Sequence, residues 1–156
     1  MKAAGRAAAV AIVAAIATAT CGNSPPPEAS SASAAESSSG GASGSGSCPS
    51  TVSFTPQVDD HGVAAASGAS IALTAGDSYF SPTCMTAVSA GTVTLTIHNG
   101  GVLLHNISVP DQNVDTDIAV GATVTVRVAA GSAPLLFFCK YHRTSGMQGA
   151  LLPAGH

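Results

Sequence analysis

Thr92-Val-Thr-Leu-Thr-Ile-His98 alternates polar and apolar residues without interruption. Alternation with period two is the mark of a strand with one buried face, here Val93, Leu95 and Ile97. The same period recurs downstream. In Thr123-Val-Thr-Val-Arg-Val128 one face carries Val124, Val126 and Val128, and the other carries Thr125 and Arg127. In His105-Asn-Ile-Ser-Val109 the shared face is His105, Ile107 and Val109. Leu135-Leu-Phe-Phe-Cys139 is a short apolar run, expected to be a central strand buried on both sides. Weaker strands are expected at Ser70–Thr74, Cys84–Val88, Asp117–Val120 and Met147–Leu152.

Turn chemistry separates these runs, at Ser89-Ala-Gly91, Asn99-Gly100-Gly101, Pro110-Asp111 and Gly131-Ser-Ala-Pro134. No segment carries an apolar stripe at helical spacing, although Asp111–Asp115 has room for one short turn. Many short strands between turn residues define an all-β class, a β-sandwich. Residues 52–69 fit either an extra edge strand or an ordered extension.

The sandwich occupies only part of the 156-residue chain. Lys2 and Arg6 precede an apolar run from Ala7 to Ala19, so residues 1–20 read as an export signal. That run is shorter than the roughly 20 residues a membrane span needs. Residues 21–47 are almost entirely Ser, Gly, Ala and Pro after Cys21. Such a segment cannot bury enough surface to offset its backbone entropy, and it is expected to be a disordered tether with a reach of roughly 30 Å. A Cys at the signal junction followed by a tether resembles the bacterial lipoprotein arrangement, in which Cys21 would carry the lipid anchor to the membrane. Thr18 and Thr20 depart from that pattern, and cleavage after Ala17-Thr18-Ala19 is the alternative. Both readings export the protein, to the cell envelope or as a soluble species. Residues 48–156 remain as one domain. Without the signal, the cations are Arg127, Lys140 and Arg143 against eight acids, which leaves no electrostatic footprint for nucleic acid.

The chemistry lies in Cys139-Lys-Tyr-His142-Arg-Thr-Ser-Gly-Met147, read with His105. Each residue alone has an ordinary explanation: an inward histidine or buried thiol in the core, a thioether as filler, a histidine on a loop. The spacing favours a joint role, because a tight loop leaving a strand can wrap three side chains around one point, with Gly146 giving backbone freedom beside the last. One thiolate, two imidazoles and a thioether form the donor set of a blue-copper electron-transfer site. Zinc suits the thiolate and imidazoles but not Met147. Filling all four positions with protein leaves no opening for substrate, which argues against an enzyme. Multicopper oxidases would need His-x-His pairs, and these do not occur.

The loop spacing resembles that of plastocyanin-like cupredoxins. So does Asn99-Gly-Gly-Val-Leu-Leu-His105-Asn106, with Phe80-Ser-Pro82 and Val88-Ser-Ala-Gly91 fitting the early strands of that family. The resemblance covers about residues 71–152 and implies a Greek-key β-sandwich. It implies His105, Cys139 and His142 as strong copper ligands and Met147 as a weak axial one. The Asn106 backbone would bond the thiolate and pin the loop. Tyr141, where many members have Pro, and Leu103-Leu104 depart from the pattern without removing a donor.

An exported protein keeps its disulfides. With Cys21 assigned to lipid and Cys139 to metal, Cys48 and Cys84 are expected to pair. Lys140 and Arg143 flank the ligand loop and are expected to dock an acidic redox partner near His142, with Val102, Leu103 and Leu104 as an apolar rim. The domain is expected to act as a monomeric carrier of single electrons. A copper storage or delivery module and a metal-free interaction domain are the alternatives.

Overall fold

The computed structural model describes residues 45–155. The expected signal, Cys21, the expected tether as far as residue 44, and His156 lie outside them. Among the described residues ten strands form two sheets. In chain order they are β1 Val63–Ala65, β2 Ser70–Gly76, β3 Tyr79–Ser81, β4 Cys84–Val88, β5 Gly91–Asn99, β6 His105–Val109, β7 Val114–Ile118, β8 Thr123–Ala130, β9 Leu135–Phe138 and β10 Gln148–Pro153. One sheet has the order β1-β4-β10-β9-β6-β7 and the other β3-β2-β5-β8. Both are mixed, since β1 and β10 pair parallel to β4, and β2 pairs parallel to β5.

The expected alternation builds the core. Val93, Leu95 and Ile97 of β5 are buried, and they meet Ile71 and Leu73 of β2 in one cluster with Ile107, Val109, Phe137 and Leu151 of the other sheet. Phe80 and Phe137 pack edge to face across the sandwich, with centroids 5.1 Å apart, the geometry that the ring quadrupoles favour. Gly149 of β10 faces Phe137 so closely that a Cβ there would lie 2.3 Å from the ring. The core packing therefore requires glycine at this position.

Two expectations are corrected. The β9 run is not buried on both sides: Phe137 is buried, but Leu136 is 41% exposed and Phe138 is half-buried. On that face the Arg143 guanidinium lies over the Phe138 ring, 4.3 Å from its centroid. The strand expected at Asp117–Val120 begins earlier, at Val114. A short 3₁₀ turn at Pro110–Gln112 ends on Asn113 with φ 55, a left-handed conformation that Asn tolerates. That turn leaves Asp115 and Asp117 in β7.

Residues 52–69 provide both an extension and an edge strand. The extension begins at Cys48, which is bonded to Cys84 with a Cα–Cα distance of 5.5 Å. The expected pairing therefore occurs in the structure, and Cys84, Ala150 and Leu152 form a small second core with Val52, Phe54 and Val63 packed on it. The extension then runs to the loop before β10. Gln148 Nε2 donates to the Pro56 carbonyl at 2.7 Å, and the Asp59 N–H donates to the Gly146 carbonyl at 3.0 Å. The chain then enters β1 beside β4.

Candidate metal centre

Two loops deliver the donors. The first joins β5 to β6. Asn99, at the end of β5, is buried and donates through Nδ2 to the carbonyls of Leu103 and Ile118, both at 2.9 Å. Its Oδ1 accepts the Gly101 N–H at 3.0 Å. One side chain thus ties the glycine turn to the strand that follows and aims His105 inward, where it is fully buried. The second loop joins β9 to β10 and closes on itself. The Cys139 N–H donates to the Met147 carbonyl at 3.0 Å, the Met147 N–H to the His142 carbonyl at 3.1 Å, and the His142 N–H to the Cys139 carbonyl at 3.2 Å. A 3₁₀ turn at Arg143–Ser145 ends on Gly146 with φ 95, which non-glycine residues rarely adopt. A Cβ there would lie 2.6 Å from the Asp59 nitrogen, so the close approach of the extension depends on this glycine as well.

His105, Cys139 and His142 come together, with one donor atom of each within 4.8 Å of the others. The two Nδ1 atoms are 3.2 Å apart, and Cys139 Sγ is 3.6 Å from His142 Nδ1. Bonds of about 2.0 Å to nitrogen and about 2.3 Å to sulfur, at tetrahedral angles, would put two nitrogens roughly 3.3 Å apart and a nitrogen and sulfur roughly 3.5 Å apart. The His142 separations from His105 and from Cys139 are thus those of donors that could share one first-row ion. Cys139 and Met147 are fully buried in the same core cluster, while His142 is half-buried and reaches the surface. Burial lowers the His105 pKa below its ordinary value; the Asp77 carboxylate opposes that shift and His142 adds to it. The shift favours the neutral ring, the form that binds metal.

A polar clamp on the outer face of the β6–β7 pair holds the ligand loop. Asn106 stands opposite Asp117, and Ser108 opposite Asp115. Asn106 Nδ2 donates to Asp115 at 2.7 Å and to Asp117 at 2.9 Å. Its Oδ1 accepts from the Ser108 hydroxyl and, at 3.5 Å, from the Lys140 N–H. Asn106 therefore contacts the loop through its side chain. Lys140 Nζ bonds Asp115 at 2.7 Å and Asp117 at 3.0 Å, and the Tyr141 hydroxyl donates to Asp117 at 2.8 Å. Lys140 is therefore not the free cation expected for docking, because two carboxylates of its own chain neutralise it. Tyr141 serves as a strut from the loop to β7. These contacts also have a predictable response to pH. Hydrogen bonds from Lys140 and Asn106 hold the Asp115 carboxyl below its ordinary 3.8, and those from Asn106, Lys140 and Tyr141 do the same for Asp117. Depressed carboxyls contribute stability that is complete above 3.8 and lost as pH falls through their folded values. Acid unfolding followed by circular dichroism should therefore begin below that pH, and Asp115→Asn/Asp117→Asn should flatten this part of the profile. An unchanged profile would show that the clamp is energetically idle.

Asp77, in the turn between β2 and β3, was not among the residues the sequence singled out. Its Oδ1 accepts the N–H groups of Val102 at 2.9 Å and Leu103 at 3.3 Å. Gly76-Asp77-Ser78 looks like any polar turn, so the sequence carries no signal for this grip.

The profile of the Cupredoxin-like domain family matches residues 49–152, and the chain belongs to this family. Three solved structures align with part of the chain at low identity. Dithionite-reduced auracyanin from Roseiflexus castenholzii aligns at 16% identity with TM-score 0.47, covering 58% of this chain and 100% of that one. The metal-binding domain of the Streptococcus pneumoniae Cu(I)-exporting ATPase CopA, solved with Cu(I), aligns at 14% identity with TM-score 0.49, covering 60% and 96%. Amicyanin from Paracoccus versutus aligns at 15% identity with TM-score 0.43, covering 54% and 80%. No curated protein sequence matches the chain. No helix among the described residues is long and apolar enough to cross a membrane.

Proposed function

We propose that this protein is a type 1 copper electron carrier, exported by residues 1–20 and tethered at the cell envelope through residues 21–47, with Cys21 as the lipidation site. The observation that carries this reading is the convergence of a buried thiol and two imidazoles at metal-sharing distances, with Met147 buried in the hydrophobic core that also holds Cys139. His105, Cys139 and His142 would hold copper as strong ligands and Met147 as the weak axial one, with the Asn106 backbone N–H directed at the thiolate. Copper in this donor set supplies a one-electron couple between cuprous and cupric states, since sulfur favours the first and imidazole the second. The chain's own contribution is rigidity. The ligand loop is fastened to itself, to the extension at Asp59 and to β7 through Lys140 and Tyr141. Donors held in this way need move little between redox states, which keeps the barrier to transfer low. Burial of Cys139 and His105 supports a role in transfer over one in catalysis.

His142 is the donor that reaches the surface, and an electron would pass along its ring. Val102, Leu103 and Leu104, exposed by 77%, 45% and 46%, form an apolar rim on the loop that leads into His105. Arg143 is the cation this face offers a redox partner, because Lys140 is paired internally. Adding Cu(II) to the reduced, full-length protein should give an intense blue colour and the narrow copper hyperfine splitting of a thiolate-bound ion in the EPR spectrum, followed by fast self-exchange. Blue colour with slow self-exchange and ready release of copper to a chelator would instead favour a delivery role. Folded protein that stays colourless with Cys139 free would remove the copper assignment.

A further inference from the structure

Ring nitrogen Nε2 of His105, on the side away from Cys139 and His142, is buried and lacks a well-formed hydrogen bond among the described residues. The nearest charged atom is Asp77 Oδ1, 3.4 Å away. This is the same oxygen that accepts the Val102 and Leu103 N–H groups. Asp77 thus grips the loop leading into His105 and faces the imidazole at the end of that loop. The contact has been given room. A Cβ at Gly101 would lie 2.2 Å from Asp77 Oδ1 and 3.1 Å from the Asp77 nitrogen, so any other residue there would push the carboxylate away.

We infer that Asp77 is a positioning residue for the metal centre: it accepts the Nε2–H of His105, leaving the Nδ1 lone pair free for the ion, and sets a negative charge behind that ligand. An imidazole whose second nitrogen donates to a carboxylate is fixed in tautomer and ring orientation and is a stronger electron donor. Extra donation favours the cupric state over the cuprous one and so lowers the reduction potential. The Asp77 side chain is 42% exposed. Water screens part of its charge, which sets the effect at the lower end of the 10–100-fold range found when a ligand's supporting carboxylate is removed.

The part of this inference that concerns potential rests on the copper reading above, whereas the tautomer part does not. Two readouts on the full chain therefore separate them. In metal-free protein at mildly alkaline pH, the ring ¹⁵N shifts of His105 should show Nε2 protonated and Nδ1 bare. Asp77→Asn retains an oxygen acceptor for Val102 and Leu103 but loses the charge, and it should shift the tautomer population towards Nδ1–H. In copper-loaded protein the same variant should lose about tenfold in cupric relative to cuprous affinity, read as a rise in potential of about 59 mV per tenfold. Asp77→Ala should shift both readouts in the same direction. If Asp77→Asn leaves tautomer and potential unchanged while Asp77→Ala alters only stability, Asp77 merely closes the loop and the inference is overturned. If the protein takes up no copper as a thiolate complex, the proposed function fails, and the metal-free tautomer measurement still decides the role of Asp77.

Discussion

Cys139→Ser is expected to give a folded protein that never turns blue. The intense visible band of such a centre arises from charge transfer between a thiolate and Cu(II), and Cys139 is the free thiol among the described residues. Serine replaces a soft, polarisable donor with a hard hydroxyl that matches cuprous copper poorly. The two imidazoles remain, so weak Cu(II) binding should persist with the pale colour and wide hyperfine splitting of nitrogen and oxygen ligation. The fold should survive because the bonds that shape the loop at this position, to the Met147 carbonyl and from the His142 N–H, are made by backbone atoms. The new hydroxyl is nearly isosteric but sits at a fully buried position. A stability loss of about 1–3 kcal/mol follows if it finds no partner. Absorption, EPR and thermal unfolding of the variant beside the parent test this expectation together. A variant that still showed the parent's blue band would mean that another sulfur had been bound and that the ligand set proposed above is wrong.

Removing the Cys48–Cys84 bond, by reduction or as Cys48→Ala/Cys84→Ala, should have the largest effect on stability. The sequence separation is 36 residues. The chain-entropy model then gives about 4 kcal/mol, a large share of the roughly 5–15 kcal/mol that a domain this size has in total. At about 4–8 °C per kcal/mol, the unfolding midpoint should fall by roughly 15–30 °C. The location of the bond makes the effect more than global. Cys48 starts the extension that meets the ligand loop at Gly146 and Gln148. Releasing it should speed hydrogen exchange at the Asp59 amide more than at amides in the centre of β5. A fall of only a few degrees, with exchange unchanged near Gly146, would show that the extension holds its place without the bond.

Much of this architecture is legible in the residues because period-two alternation is a local property. Val93, Leu95 and Ile97 point inward wherever the strand ends up, and β4, β5, β6, β8 and β10 lie within about two residues of where alternation put them. The misreading of β9 has a clear origin. An apolar run such as Leu135-Leu-Phe-Phe-Cys139 looks the same whether its second face meets a protein layer or a single guanidinium, and Arg143 over Phe138 is a contact across a loop. The acidic clamp escaped notice for a related reason. Asp115 and Asp117 look like surface charges until the β6–β7 register sets them opposite Ser108 and Asn106 and within reach of Lys140.

Donor identity and spacing are written in the covalent chain. A thiol, an imidazole and a thioether within nine residues of one loop, with a second imidazole on the inward face of a strand, are what the copper and one-electron reading proposed above starts from. Three-dimensional packing supplied everything that depends on residues far apart in the chain: the 3.2 Å approach of His105 to His142, the strap from Cys48 to Gly146, and the carboxylate of Asp77 behind the buried histidine. Alternation and loop spacing act over a few residues and can be read in one dimension. Strand register and loop-to-loop contact are set by the packing of the whole sandwich, and no short window of sequence encodes them.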